Sequence, residues 1–448
     1  MKHDQIPQAG VPATEPHGLS RYEERCLRAL SIALERTPMY ESWGRRDPGP
    51  SAGVDERFAA LPILTKDNLR AHFPQGVVPR GMDLEAARAR GEVSFVPTSG
   101  TADEAVVNIW NQAWWDTSER ASWALNSVAA RVATGTHREA ILASALSVGP
   151  RSDGAPVGRE KRMLGRFLFL NEYGRTEEWP PDHEQRIVSE IADYRPAVLE
   201  ANPSLLARVA RWAAAAGVDV WQPGLITLTY EYPSEVHLRA IRRVFGSPIA
   251  SSYGSTEAGY VFMGCEHGML HQNCESCRVD LVPLSGDTRR SVAPGELGRI
   301  LATTFENTWF PLVRFEVGDV GRLADHPCPC GRSLGLTLSA VEGRLKSLCV
   351  AGDGRLVTHA RVDLALAGVD GLQQYRLDQD SAATAHCRVV RELPRGTRVV
   401  EAARRALTGV FGPGVDIDVT EVPALFAEKS GKFLLVLRSF PIEEAVRA

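Results

Sequence analysis

From about residue 19 to residue 90, apolar positions recur at helical spacing with short interruptions. "RYEERCLRALSIALERT" sets Leu27, Leu30, Ile32 and Leu34 near one helical face. Thr65 in "LPILTKDNLRAHF" is a candidate N-cap for a helix carrying Leu69. Further on the texture alternates. "SFVPTSGT" reads as a strand running into a loop, and "AWWDTSERASWALNSVAARVA" as one helix packing through Trp115, Trp123 and Leu125. "REAILASAL" and "RFLFL" read as buried strands, and "HEQRIVSEIADYRPAVLEAN" as a helix followed by a strand. "PSLLARVARWAAAAGV" is a helix opened by Pro203 and closed by Gly217. "LITLTY", "SEVHLRAIRRVF" and "PIASSYG" continue as strand, helix and strand. This alternation from about 90 to 260 predicts an α/β sheet with mostly parallel strands.

After 260 the pattern shifts to period two in "RVDLVPL" and "GRILATTF", which predicts an antiparallel or barrel-like subdomain. From about 345, three strand-like segments and one long helix predict a separate small α+β domain. Composition adds bounds rather than detail. A chain of 448 residues exceeds one small core and fits two or three domains. It is 44% apolar and 24% charged with net charge −4, and its charges are interspersed, so no nucleic-acid partner is expected. No apolar run approaches the roughly 20 residues of a membrane span. The first 18 residues lack an apolar secretion core and read as a flexible lead, so a cytoplasmic location is expected.

The chemistry-bearing stretches come next. "TSGT" (98–101) surrounds a glycine with hydroxyls and can cradle phosphate oxygens, although an ordinary Ser/Thr turn has the same composition. No Walker loop is present. "SSYGSTEAG" ends a strand with an aromatic ring, a glycine, hydroxyls and a carboxylate, a set able to stack a purine, reach a phosphate and hold a hard cation. "WFPLVRFEVGDVGRL" puts Asp319 in an expected Gly-flanked turn, where it can accept both hydroxyls of a ribose or simply cap the turn. Arg344 in "VEGRLKS" can serve the same ribose or pair with Glu342, and Lys432 in "EKSGKFLLVL" competes with Lys429.

In this order, "LPILTKDNLR", "TSGT", "YGSTE", "PLVRFEVGD" and "SGK" resemble the adenylate-forming superfamily of acyl-CoA synthetases and adenylation domains, in its phenylacetate-CoA ligase-like branch. The resemblance spans nearly the whole chain. It implies an α/β fold: a large N-terminal body of α/β sheets with a barrel-like subdomain, plus a small mobile α+β C-terminal domain. The expected limits are 19–343 for the body, with a cysteine-rich part at about 260–340, and 344–448 for the lid. It implies ATP-dependent conversion of a carboxylic acid to an acyl-adenylate with release of pyrophosphate, then transfer to CoA. Thr98, Ser99, Gly100 and Thr101 would hold the outer phosphates of ATP; Tyr253 would lie against adenine, with Gly254 and Ser255 beside it. Thr256 would touch the α-phosphate, Glu257 would bind Mg²⁺, and Glu231 of "TYEYP" matches the acid of a second adenine loop. Asp319 and Arg344 would hold the ribose, and Lys432 would stabilise the reacting α-phosphate. Tyr230 and Tyr232 offer aromatic surface suited to an aryl or arylacetic acid.

Two departures bear on the second step. The phosphate loop continues "ADEA" instead of Thr-Gly with a lysine, and "GRLKS" lacks the usual acidic pair. An amine or a carrier-protein thiol therefore stands as an alternative acceptor, and a catalytically inactive nucleotide-binding protein as a second alternative. A homodimer is possible by the same resemblance.

Five of the eight cysteines fall in two knots, "GCEHGMLHQNCESC" and "PCPCGR". In a reducing compartment such clusters suggest metal before disulfide. Comparable elements occur in the resembling branch, and matching them selects Cys265, His271, Cys328 and Cys330 as a structural Zn²⁺ set, with Cys274, Cys277 and His267 as competitors.

Overall fold

The computed structural model describes residues 20–98, 105–392 and 398–441. Its first helix, Arg21–Ser31, starts at a reciprocal cap between Ser20 and Glu23 and widens into a π-turn at Ile32–Arg36. The buried face runs through Cys26, Ala29, Leu30 and Ala33, whereas Leu27, Ile32 and Leu34 are half-buried. Thr65 caps Lys66–His72 in a reciprocal bond with Asn68. The helix anticipated from Ala113 onward is two helices, Gln112–Trp123 and Ser127–Val132. Asn126 divides them, because its side-chain oxygen accepts from the amides of Val128 and Ala129 and starts a new helix.

A twelve-stranded sheet forms the spine. One half runs, side by side, through Met163–Leu164, Phe167–Phe169, Glu139–Leu142, Val198–Ala201, Leu225–Leu228 and Ile249–Ser255, and is parallel apart from its first edge pair. The other half is antiparallel: Gly259–Gly264, Leu270–Gln272, Thr337–Arg344, Phe315–Leu323, Leu297–Thr304 and Cys277–Val282. Ile249–Ser255 joins them, parallel to one neighbour and antiparallel to the other. The antiparallel part expected after 260 is thus hydrogen-bonded into the same sheet. Cys277–Val282 is buried along its whole length, so its two faces are both covered.

Helices His183–Tyr194, Pro203–Ala216 and Glu235–Arg242 cover the parallel half through Ile187, Leu206 and Ile241. The long Pro203–Ala216 helix begins with proline and ends at Gly217 in the left-handed region, φ 64°. The N-terminal helices close over the antiparallel half through Leu30, Phe58 and Leu64 against Phe262 and Phe315. Beyond Arg344, a four-stranded sheet (Asp416–Glu421, Thr384–Arg391, Leu372–Ser381, Val436–Arg438) packs with His359–Ala367 and Val399–Phe411 into a smaller lobe. This lobe rests on the start of Glu235–Arg242: Asp363 accepts from the Glu235 amide at 2.7 Å and from the Ser234 hydroxyl. Among the described residues, no helix is long and apolar enough to cross a membrane.

Candidate active site

Ligands of open α/β sheets sit outside the carboxyl ends of the strands where strand order switches. Here that place is the end of Ile249–Ser255, where the sheet changes from parallel to antiparallel. Ser252 is buried and Tyr253 half-buried. The Tyr253 hydroxyl donates to Asp319 Oδ2 at 2.9 Å. Gly254 admits no side chain, because a Cβ there would meet the Gly259 carbonyl oxygen at 2.2 Å. The Ser255 hydroxyl accepts from the Ala258 amide at 3.1 Å and fixes the turn that carries Thr256 and Glu257.

Asp319 lies within the strand Phe315–Leu323, not in the turn that its flanking glycines suggested. The strand stays paired because the irregularity is absorbed as a bulge: Arg299 faces Val320, but Leu301 faces Glu316. Gly318, at φ 95°, supplies the left-handed residue this needs. Asp319 is also the register partner of Arg344, whose Nε stands 3.3 Å from Asp319 Oδ1. The carboxylate raises the Arg344 pKa against the opposing effect of burial. Glu342 pairs with Arg322 instead.

The C-terminal lysine is drawn to the same place. Lys432 is half-buried, while Lys429 is exposed. Its loop is clamped at both sides. The Phe433 amide donates to Glu231 Oε1 at 2.6 Å, and Gly431 lies so close to Ser144 that a Cβ would approach its hydroxyl at 2.1 Å. Burial lowers the Lys432 pKa, with Glu231, Asp319 and Glu257 opposing and Arg344 adding to the fall. Burial likewise raises Glu231, against hydrogen bonds that favour its charged form.

Glu257 is buried, and its Oε1 lacks a hydrogen-bond donor. The Lys66 ammonium stands 3.3 Å from that oxygen as an ion pair. Lys66 is the site residue that pattern reading passed over. Its signal was its place, directly after the Thr65 cap in "LPILTKDNLR". Thr98 closes the neck of the hairpin Ser94–Pro97/Val107–Trp110, exchanging bonds with Val106 at 2.9 and 3.0 Å. Ser99, Gly100 and Thr101 lie outside the described residues. The two candidate substrate tyrosines part company. Tyr230 reaches Glu200 through its hydroxyl. Tyr232, expected in the substrate pocket, instead lays its ring on His359 of the smaller lobe, centroids 4.1 Å apart. Two residues after Tyr230, it faces the seam between lobes.

The cysteine knots converge elsewhere. One ligating atom each of Cys265, His271, Cys328 and Cys330 lies within 4.8 Å of all the others. Cys265 and Cys328 sulfurs are 3.5 Å apart, and Cys330 Sγ is 3.2 Å from His271 Nε2. His271 Nδ1 meets the Thr337 hydroxyl at 3.2 Å, which leaves Nε2 facing the thiols. The competitors Cys274 and Cys277 are not in this cluster. Burial pushes the Cys274 thiol up to about 12 and raises Cys277 well above the ordinary thiol range, so both stay protonated.

No family model matches the chain. A phenylacetate-coenzyme A ligase of Thermus thermophilus is 27% identical over 327 residues, 69% of this chain and 67% of that protein. Among solved structures, 2-hydroxyisobutyryl-CoA ligase in its postadenylation state with 2-HIB-AMP superposes with TM-score 0.69 at 19% identity, covering 95% of this chain and 90% of that one. The same enzyme in the thioesterification state, with 2-HIB-AMP and CoA, gives 0.55 at 20% identity over the same shares. An amide bond synthetase from Marinactinospora thermotolerans gives 0.51 at 14% identity, covering 76% and 66%. The chain has the fold of these adenylate-forming ligases. In sequence, its likeness is to a phenylacetate-CoA ligase, the branch that the motifs resemble. The chain superposes better on the postadenylation form of that relative than on its thioesterification form.

Proposed function

We propose that this chain activates a carboxylic acid with ATP, releasing pyrophosphate and retaining the acyl-adenylate, and then transfers the acyl group to CoA. The observation that carries this reading is the convergence on Lys432 of Glu231, Asp319, Glu257 and Arg344, from four separate segments. A carboxylate oxygen attacks the α-phosphorus as the bond to pyrophosphate breaks. No proton has to move, so the enzyme's task is alignment and stabilisation of negative charge. A lysine ammonium withdrawn from water acts more strongly there than an exposed one.

Asp319 would accept from the ribose hydroxyls, steadied by Arg344, and Tyr253 with Gly254 and Ser255 would flank the base. Thr98 to Thr101 would hold the outer phosphates, and Thr256 the α-phosphate. Glu257 fits a Mg²⁺ role: it is buried, and its Oε1 has no hydrogen-bond donor. Mg²⁺ bound there would neutralise phosphate charge. The three thiols and one imidazole fit Zn²⁺, and four protein ligands leave no position open for catalysis, so its role would be to tie strands together. For the second step the smaller lobe would turn and withdraw Lys432, releasing the bond between Phe433 and Glu231.

Pyrophosphate release across aliphatic, aryl and arylacetic acids tests the first step. Adding CoA, amines or a carrier protein to the reactive acid identifies the acceptor. Lys432→Ala should abolish adenylate formation while ATP still binds. Turnover of that variant at the parent rate would remove the basis of the proposal.

A further inference from the structure

Three carboxylates meet inside the body at a point that the adenylation chemistry does not use. Glu139 and Glu200 are buried on neighbouring parallel strands, and Glu119 reaches them, half-buried, from helix Gln112–Trp123. One oxygen of each lies within 4.8 Å of the others. Their positive complement falls short. Arg166 donates to Glu139 at 2.6 Å, and His137 also touches Glu139 at 3.0 Å. Among the described residues, Glu119 accepts only from the Tyr260 hydroxyl, at 3.2 Å, and Glu200 only from that of Tyr230. Burial, with the neighbouring carboxylates, pushes Glu119 up to about 7 and Glu200 to about 8.

A second observation points to a missing occupant. The three glutamates line a narrow cavity together with Trp123, Tyr260 and Ser252. Ser252 is 6% exposed, and its hydroxyl has no hydrogen-bond partner. Buried hydroxyls are almost always satisfied, so a polar group belongs beside it. The cavity also adjoins the reacting centre by sequence. Tyr230 bonds Glu200, while the next residue, Glu231, holds the Lys432 loop. Ser252 lines the cavity, while the next residue, Tyr253, holds Asp319. Tyr230 adopts φ 72°, a left-handed conformation rare for a bulky side chain.

We infer that the acid activated by this chain carries a protonated amine, which enters this cavity between Glu119, Glu200 and the Ser252 hydroxyl. The inference rests on the acid-activating reading above. An ammonium is about the size of a water molecule and suits so narrow a space. It brings the missing charge and donors for both carboxylates.

The test uses the full chain, ATP and pairs of acids matched in shape. These are ω-amino acids of two to six carbons against alkanoates with methyl in place of ammonium, and 4-(aminomethyl)benzoate against 4-ethylbenzoate. Pyrophosphate release should favour the amino member of at least one pair by about tenfold or more in kcat/KM. Glu200→Gln and, separately, the less buried Glu119→Gln should each cut that ratio by about tenfold. Ser252→Ala, which removes no existing bond, should reduce it with the fold intact. The inference is overturned if the alkyl member wins in every pair, or if the ratio is unmoved in variants that melt like the parent. Tight Mn²⁺ binding abolished by Glu200→Gln would also overturn it, by assigning the cluster to a metal. Absence of pyrophosphate release with every acid of either kind would instead defeat the acid-activating reading itself.

Discussion

Gly431→Ala isolates the first half-reaction. Gly431 sits at φ 76°, and an added Cβ would stand 2.1 Å from the Ser144 hydroxyl, 2.8 Å from Ser144 Cβ and 2.9 Å from the Gly174 carbonyl. Two of these atoms are held: the Ser144 hydroxyl donates to the Gly174 carbonyl at 2.6 Å. Left-handed strain is common to docked and undocked loops, so it cancels from the comparison. The clash does not cancel. Forcing one extra carbon into a packed contact costs about 1–3 kcal/mol. Relief by undocking forfeits the Phe433 amide bond to Glu231, about 1.5–3 kcal/mol for a bond to a carboxylate. Because the loop takes the cheaper route or a mixture, the docked state should lose about 1–3 kcal/mol, or roughly 5- to 150-fold in adenylation rate. Single-turnover formation of acyl-adenylate from ATP and acid measures this. Thioester formation from supplied acyl-adenylate and CoA provides the control, since Lys432 is not needed there. Equal loss in both steps, or no loss in the first, would refute the docking argument.

Adenylation should fall on the alkaline side at a pH below the ordinary lysine range, because burial lowers Lys432 and the protonated form is the useful one; Lys432→Arg should push that limb upward in a pH–rate profile. The glutamate cluster has the opposite linkage to stability. Carboxylates whose folded pKa lies above the unfolded value favour the fold at low pH, so this contribution is complete below about 4.5 and lost as pH rises to about 8. Melting temperatures of the ligand-free chain should decline across that window, and Glu200→Gln should flatten the decline. Cys328→Ser should lower zinc content, read by metal analysis, and lower the melting temperature with it.

Most elements were legible because their signals are local. Thr65, Pro203 and Gly217 mark helix ends by capping chemistry that needs no tertiary partner. Asn126 carried the same kind of signal inside an apolar run, where the run masked it. Asp319 was legible as a residue but not as a conformation, since a bulge and a turn both use glycines and only pairing with Leu297–Thr304 decides between them. Cys265, His271, Cys328 and Cys330 were chosen by their likeness to elements of the resembling branch, with Cys274, Cys277 and His267 left open, and tertiary structure gathers the chosen four. The Lys66–Glu257 pair spans 191 positions and has no local sign. Nor has the glutamate cluster, whose members come from a helix and two strands.

If an ammonium enters that cluster, charge and not aromatic surface would select the substrate. Tyr230 and Tyr232 were read as ring surfaces for an aryl acid, yet Tyr230 commits its hydroxyl to Glu200 and Tyr232 stacks at the lobe seam. Tyr230 bonds the cavity's Glu200 while Glu231 bonds the Lys432 loop, and Ser252 lines the cavity while Tyr253 bonds Asp319. Strand alternation turns Ser252 and Tyr253 to opposite sides, and the left-handed turn at Tyr230 separates it from Glu231, so each short stretch can address two groups. Selection of the acid is thereby tied to placement of the reacting groups. A head group that fills the cavity would steady Tyr230, and Tyr230 is joined by one peptide bond to the residue that docks Lys432. Charge in the cavity, rather than ring area around it, is the property on which the choice of substrate should turn.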